Sequence, residues 1–219
     1  MDPNASIAFQ VGVSVLIFLL ATFVWPILKI TLIQKSKPFS PSPTGIHLMI
    51  SIGIASTMTA MSIWSVILAA FGPAILGTWQ TPIWTQDLGW ILYGISILLV
   101  VTAQHQMGQT WRMGATPSPD QFVSHGIFNW IRHPIYTGMC GILLGYLCLV
   151  PSPWLVMGFL QFVWLVILQS LLEERALIEQ FGESYRSYMS NVGSFLPKRL
   201  GFSSQAENER DPVNVSPQD

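Results

Sequence analysis

The sequence predicts an all-α integral membrane protein with five transmembrane helices, and three observations lead to this prediction. Half of the 219 residues (51%) are hydrophobic and only 10% are charged, whereas about a quarter of the residues in a soluble domain carry charge. The apolar residues form five long runs, separated by breaks rich in proline or glycine. When these runs alternate across a bilayer, all ten Lys and Arg residues fall on one side.

The first two runs each have the length of a membrane span. Residues 7–28 are about long enough to cross a hydrocarbon core of roughly 30 Å. Lysines follow this run and none precedes it, which is the reverse of the charge order of a signal peptide. Prolines in residues 36–43 end the element. The second run, residues 46–71, contains Ser, Thr and Gly, which favour packing against other membrane helices.

The remaining three runs are predicted at residues 88–103, 135–150 and 154–172. Tryptophans in the loop up to Asp87 are typical of a membrane–water interface. The third run is expected to continue as a polar helix beyond the bilayer. The fourth contains Gly138, Gly141 and Gly145, which are spaced for close helix contact. With the fifth run it forms a hairpin around a Pro-Ser-Pro turn.

After Glu174 the pattern becomes that of an amphipathic helix, predicted to lie against the membrane surface or the polar loop. The apolar residues at helical spacing are Leu177, Ile178, Phe181, Tyr185, Tyr188 and Val192. We therefore divide the chain into three parts. Residues 1–104 hold three N-terminal spans, residues 105–200 hold the functional core, and residues 201–219 form a polar tail that is predicted to be disordered.

The charge distribution predicts the orientation. Because basic loops face the cytoplasm, the N-terminus is expected outside or in the lumen and the C-terminus in the cytoplasm. In a eukaryotic host, the expected location is the endoplasmic reticulum membrane. This topology brings the polar residues of the core to one membrane face. They are His105, Arg112, Arg132, His133, Glu173 and Glu174.

Residues 126–138 place Arg132, His133, Pro134 and Tyr136 side by side between apolar runs. Pro134 disfavours helical geometry at His133 and suits the first turn of a new helix. Polar side chains beside the free N–H groups of a helix start can form an anion or cofactor site. The alternative is that Arg132 and His133 only anchor the chain at the interface.

Glu173 lies at the inner end of the fifth span, where a carboxylate is costly unless it finds a partner or ligand. A structural role would be a salt bridge to Arg132 or Arg112, or solvation at the interface. Its functional role would be to hold the hydroxyls or ammonium of a polar cofactor. The two cysteines lie in one apolar run, which predicts buried thiols and no zinc site. No motif suggests a metal or nucleic acid as partner.

The ordered motifs of residues 108–197 resemble the isoprenylcysteine carboxyl methyltransferase family, whose wider set includes phospholipid N-methyltransferases. These motifs are residues 122–128 (FVSHGIF), 132–138 (RHPIYTG), 173–177 (EERAL), 181–188 (FGESYRSY) and 195–197 (FLP). The resemblance implies S-adenosylmethionine as methyl donor, bound in a cytoplasm-facing pocket. The cofactor-binding residues that it implies are Gln121, Phe122, Val123, Phe128, His133, Pro134, Ile135, Tyr136 and Glu173.

Two positions depart from the family pattern. Phe128 stands where relatives often carry Tyr, which removes a hydroxyl contact. Gln169, one turn before Glu173 and expected to bind substrate, stands where isoprenylcysteine enzymes place an Arg near the substrate carboxylate. Arg112 would then supply the positive charge, and Arg112, Arg132 and Glu174 are the candidate catalytic residues.

The expected acceptor is lipophilic and enters from the membrane, with the glycine-lined fourth span as a wall of its entry. A prenylated cysteine or similar acid needs no general base, because a carboxylate with a pKa near 4 is already ionised. A phospholipid amine would need a proton acceptor, for which Glu174 or His133 is available. The sequence also leaves open a nicotinamide-dependent sterol reductase, which typically has Asn at the position of Ile135, and a non-enzymatic membrane scaffold.

Overall fold

The computed structural model describes residues 3–24, 45–71, 82–107 and 122–198, which are almost wholly helical. A π-helical turn, Leu20–Val24, extends the first helix, and a 3₁₀ turn, Gly126–Asn129, precedes the fourth. These described residues contain six α-helices: α1 (Pro3–Leu19), α2 (Gly45–Phe71), α3 (Ile83–Met107), α4 (Pro134–Leu149), α5 (Pro153–Phe181) and α6 (Glu183–Asn191). The predicted tail, together with Arg112 and Gln121, lies outside the described residues.

Three of these helices are long and apolar enough to cross a membrane, namely α2, α3 and α5. The apolar part of α1, Ser6–Leu19, and helix α4 are shorter. At 1.5 Å per residue, the 16 residues of α4 extend about 24 Å, which is less than a hydrocarbon core of about 30 Å. The all-helical membrane class is therefore confirmed, whereas five complete spans and the orientation of the termini stay predictions.

Two predicted helix boundaries were wrong. Helix α3 begins at Ile83, so residues 83–87, which were assigned to a loop, are helical, and the helix continues through the polar residues up to Met107 as expected. Helix α5 does not stop at Leu172 but continues to Phe181. The polarity changes at Glu173, but Glu, Arg and Ala are good helix formers. The helix ends only at Gly182, where the backbone has φ +56°.

Helices α3 and α4 pack closely through small residues. A methyl group at Gly145 would lie 2.8 Å from the carbonyl oxygen of Gly89, and one at Gly138 would lie 2.9 Å from that of Ser96. The predicted close contact of the α4 glycines is thus present, and its partner is α3. Because α3 covers this face of α4, the glycines themselves contact α3. The role of α4 as a wall of the acceptor entry stays a prediction.

Replacing Gly145 with alanine is expected to destabilise the protein by about 1–3 kcal/mol, because the added methyl overlaps backbone atoms that side-chain rotation cannot move. The matched control is Gly94→Ala on α3, where a methyl group meets nothing within 4 Å. That change should leave stability unchanged or raise it by up to about 1 kcal/mol. Unfolding in mixed detergent micelles measures both variants, and equal effects would contradict the assigned interface.

The other helices complete a bundle around one apolar core. Helix α1 packs on α2, and α2 packs on α5. The Tyr146 hydroxyl of α4 donates 3.0 Å to the Met61 carbonyl of α2, which ties the two halves of the chain together. Large apolar side chains on the outer faces of the helices remain exposed, including Ile52, Leu98 and Trp164, as expected for surfaces that contact lipid.

Candidate functional site

Four of the polar residues of the core meet where the segment before α4 lies against the C-terminal part of α5, namely Arg132, His133, Glu173 and Glu174. Pro134 is the first residue of α4, as predicted, and His133 caps it with non-helical geometry (φ −120°, ψ 58°). Arg132 N–H donates to the Gly193 carbonyl over 2.8 Å, and His133 N–H donates to that of Ser194 over 3.0 Å. The segment that follows α6 therefore fixes the backbone beneath both side chains.

Arg132 and Glu174 form a buried ion pair. The guanidinium Nε and Nη2 atoms lie 2.9 and 2.8 Å from Glu174 Oε1, and the two side chains are 8% and 11% exposed. Arg132 Nη1 also donates to the Met189 carbonyl over 3.2 Å and to the Val192 carbonyl. Arg132 thereby joins α5 to the last turn of α6, where backbone carbonyls lack helical partners.

The salt bridge predicted as a structural role for Glu173 therefore forms at Glu174 instead. His133 Nε2 donates to Glu174 Oε1 over 3.0 Å, and Ser194 Oγ lies 3.4 Å from the same oxygen. Side chains from two other segments thus surround Glu174. These contacts describe a structural centre, and the predicted catalytic roles of Arg132 and Glu174 stay predictions.

Glu173 faces a different set of groups. Tyr136 Oη donates to Glu173 Oε1 over 2.5 Å, and Gln169 Nε2 donates to the same oxygen over 3.2 Å. Glu173 Oε2 lies 3.8 Å from His133 Nδ1. The Glu173 side chain keeps 21% exposure, so its carboxylate is more accessible than that of Glu174. The predicted meeting of Glu173, His133 and Tyr136 is present.

Several aromatic rings lie beside this cluster. The His133 ring lies 5.8 Å from Tyr136, nearly parallel, and 5.7 Å from Phe195. Phe122 lies 5.2 to 5.3 Å from the rings of Phe181, Tyr185 and Tyr188. Phe122, which was expected to contact a cofactor, is thus held by α6 and the end of α5.

The 3₁₀ turn before α4 is held from two sides. Gln106 of α3 accepts the Ile127 N–H over 2.8 Å, beside Gly126, whose φ of +62° suits glycine. Tyr188 Oη donates to the Phe128 carbonyl over 2.6 Å. Burial raises the pKa of Tyr188 to about 12, so its hydroxyl stays protonated and donates at neutral pH. Phe128 itself is buried, 6% exposed.

The other predicted site residues are placed as follows. Val123 is partly exposed in the segment before the 3₁₀ turn, Pro134 is buried, and Ile135 packs against the apolar core. Gln169 is 1% exposed. His105 is exposed at the end of α3. Arg112 and Gln121 fall outside the described residues, so their roles stay predictions.

One buried polar residue, His47 of α2, was not among the predicted site residues. It is only 8% exposed. Its Nδ1 is a buried polar atom without a hydrogen-bond partner among the described residues, as is Gln169 Oε1. The available signal was a histidine in the first turn of an apolar helix. That signal was weak, because no neighbouring motif residue accompanies His47.

Comparison with known proteins supports the resemblance. Residues 84–184 match the family described as phospholipid methyltransferase. In an alignment 145 positions long that covers 55% of the chain, the sequence is 29% identical to a methanethiol S-methyltransferase of a Pseudomonas species, of which it covers 53%. Over 81 residues, or 36% of the chain, it is 29% identical to the protein-S-isoprenylcysteine O-methyltransferase of Tribolium castaneum, of which it covers 29%. The chain thus spans about half or less of these relatives' length.

The fold is also similar to that of a solved protein. The structure of the eukaryotic intramembrane Ras methyltransferase ICMT superposes with a TM-score of 0.55 at 20% sequence identity. The match covers 90% of this chain and 69% of that one. At this identity the likeness concerns the fold, and its coverage of 90% of the chain extends beyond the residues matched by the family.

Proposed function

Because sequence and fold comparisons support the isoprenylcysteine carboxyl methyltransferase family for this chain, we propose that it transfers a methyl group from S-adenosylmethionine to a lipophilic acceptor. The observation that carries this proposal is the meeting of Glu173 with Tyr136 and His133. It unites the segment before α4 with the end of α5, the two parts of the chain that contain the family-like motifs.

The residues present fit such a cofactor. The Glu173 carboxylate is partly exposed beside aromatic rings, which suits an ammonium or ribose hydroxyl group. Glu173, His133 and Tyr136 would hold the cofactor, and Phe122, Val123, Phe128, Pro134 and Ile135 would complete the surroundings. When bound, the cofactor supplies an electrophilic methyl group.

The protein's main task is then alignment, because a positioned donor and acceptor need little further activation. The buried ion pair of Arg132 and Glu174 would keep the segment before α4 in register with α5. A lipophilic acceptor would arrive from the membrane, and the cofactor from the aqueous side. The C-terminal end of α5, where apolar sequence gives way to charge at Glu173, lies at the boundary that both must reach.

Three acceptor classes are supported by different observations. The resemblance favours the carboxylate of a prenylated cysteine or similar acid, and relatives named protein-S-isoprenylcysteine O-methyltransferase match this chain. A thiol is favoured by relatives named methanethiol S-methyltransferase, one of which aligns over 145 residues. The match of residues 84–184 to the family described as phospholipid methyltransferase favours a phospholipid amine as the acceptor.

The test is incubation of the purified protein, in nanodiscs, with methyl-labelled S-adenosylmethionine and a panel of lipophilic acids, thiols and amines. We expect label in one lipid-soluble product class, identified by mass spectrometry. Binding of a reduced nicotinamide cofactor is measured in parallel. Nicotinamide binding without S-adenosylmethionine binding would favour the sterol reductase, and binding of neither would favour the scaffold.

A further inference from the structure

Within the part of the chain that the structure describes, Gln169 Oε1 and His47 Nδ1 are buried polar atoms without hydrogen-bond partners. Their residues are 1% and 8% exposed. Buried polar side-chain atoms are nearly always hydrogen-bonded, so each exception requires an explanation. Neither residue takes part in the Arg132–Glu174 ion pair.

The orientation of the Gln169 amide is fixed by its neighbour. Gln169 Nε2 donates to Glu173 Oε1 over 3.2 Å. Exchanging the amide oxygen and nitrogen would bring a carbonyl oxygen against a carboxylate, which is unfavourable. The unpartnered atom is therefore a hydrogen-bond acceptor, held within one helical turn of the Glu173 carboxylate.

The register of α2 against α5 brings His47 to the same level. Three contacts define an antiparallel pair. Gln161 Nε2 donates to Thr57 Oγ1 over 3.1 Å. A methyl group at Gly158 would lie 3.2 Å from Met61, and a methyl group at Gly53 would lie 3.2 Å from Leu165.

On α2, His47 lies six residues, or about 9 Å, before Gly53. From Leu165, α5 advances about 6 Å to Gln169 and about 12 Å to Glu173. His47 thus stands at a height between Gln169 and Glu173. It also shares the buried stripe of α2 with Ile54, Met58 and Ser65, which are seven, eleven and eighteen residues further on, so it faces the bundle interior.

We propose that His47 and Gln169 form the polar end of the acceptor site, on the α2 side of Glu173, and that they select an acceptor bearing a hydrogen-bond donor, such as a thiol, over a carboxylate. This inference rests on the proposed function. It adds a residue from α2, which lies outside the segment matched by the methyltransferase family.

The charges near this end of the bundle agree with that selection. The cluster contains two carboxylates, Glu173 and Glu174, and the guanidinium of Arg132 is engaged with Glu174 and two backbone carbonyls. A carboxylate acceptor would approach Glu173 with like charge and would leave Gln169 Oε1 unpaired. A thiol hydrogen satisfies that oxygen, and His47 Nδ1 serves as its second polar neighbour.

The experiment compares dodecanethiol with dodecanoate, which share one chain length, by native mass spectrometry of the protein in nanodiscs. S-adenosylmethionine binding is measured separately. The wild type should bind the thiol about tenfold or more tightly than the carboxylate, because sites with unpaired polar groups reject ligands that cannot satisfy them. Gln169→Met and His47→Phe should each reduce this preference severalfold, and His47→Phe should leave S-adenosylmethionine affinity unchanged.

Trp64→Phe is the matched control, because Trp64 Nε1 is a third buried atom without a hydrogen-bond partner in the described ranges. Trp64 lies seventeen residues, or about 25 Å, along α2 from His47. It should not alter the preference. A wild type that prefers dodecanoate overturns the inference, as does a preference unchanged in both site variants. If one site variant fails to fold, the other decides. If the wild type does not bind S-adenosylmethionine but still prefers the thiol, the proposed function is overturned and the inferred thiol preference is not.

Discussion

Glu173→Ala is expected to lower the affinity for S-adenosylmethionine by about ten- to a hundredfold and to abolish measurable methyl transfer. Hydrogen bonds to charged groups contribute about 1.5–3 kcal/mol, and each 1.4 kcal/mol corresponds to a factor of ten in affinity. Glu173 is the more exposed carboxylate of the cluster and faces Tyr136 and His133. Isothermal titration in detergent measures the affinity directly.

Two further variants separate charge from shape at this position. Glu173→Gln retains the side-chain volume without the charge, and we expect it to lose most of the affinity as well. Glu179→Ala is the control, since Glu179 lies on the same helix α5 and is exposed. Unchanged affinity in both Glu173 variants would exclude this carboxylate from the cofactor site, whatever the activity.

Arg132→Ala is expected to cost about 3–5 kcal/mol of stability, because it leaves the buried Glu174 carboxylate without its cation. The variant also frees the Met189 and Val192 carbonyls at the end of α6, so α6 should detach from α5 before the bundle unfolds. Equilibrium unfolding in mixed micelles measures the free energy. Hydrogen exchange identifies the segment that opens first.

A double-mutant cycle with Glu174→Ala isolates the pair. The double variant should lose less free energy of unfolding than the two single variants lose together, because neither charge is then left buried alone. Arg186 and Glu183 provide the control pair, at 3.4 Å with side chains 61% and 85% exposed. Truncating that pair should change stability by less than about 1 kcal/mol. If truncating each of the two pairs costs a similar free energy of unfolding, the buried Arg132–Glu174 pair has no special structural role.

The apolar runs predicted the helices well because the hydrophobic length and the proline breaks are local properties of the chain. Helices α2 and α4 begin and end within one residue of the predicted runs. The end of α5 was predicted poorly, since polarity marks where a helix leaves an apolar environment and not where its backbone stops. Only Gly182, with its positive φ, ends the helix.

The partners within the candidate site were harder to predict. The motifs indicated that Arg132, His133, Tyr136 and Glu173 meet, because the alternation of spans brings their segments to one face. Which carboxylate Arg132 binds depends on helix rotation, since neighbouring residues on a helix point about 100° apart. That rotation comes from the packing of α5 against α2 and α4, so no local pattern distinguishes Glu173 from Glu174.

By itself, the sequence determined the class of protein, the position of most helices and the segments that build the site, because hydrophobicity and proline act over a few residues. The tertiary structure alone decided that α3 covers the α4 glycines, that Arg132 pairs with Glu174, and that α2 brings His47 to the level of Gln169. These features join residues tens of positions apart, and the register between packed helices sets them. Such a register depends on the shapes of two surfaces at once, which a single segment of sequence does not contain.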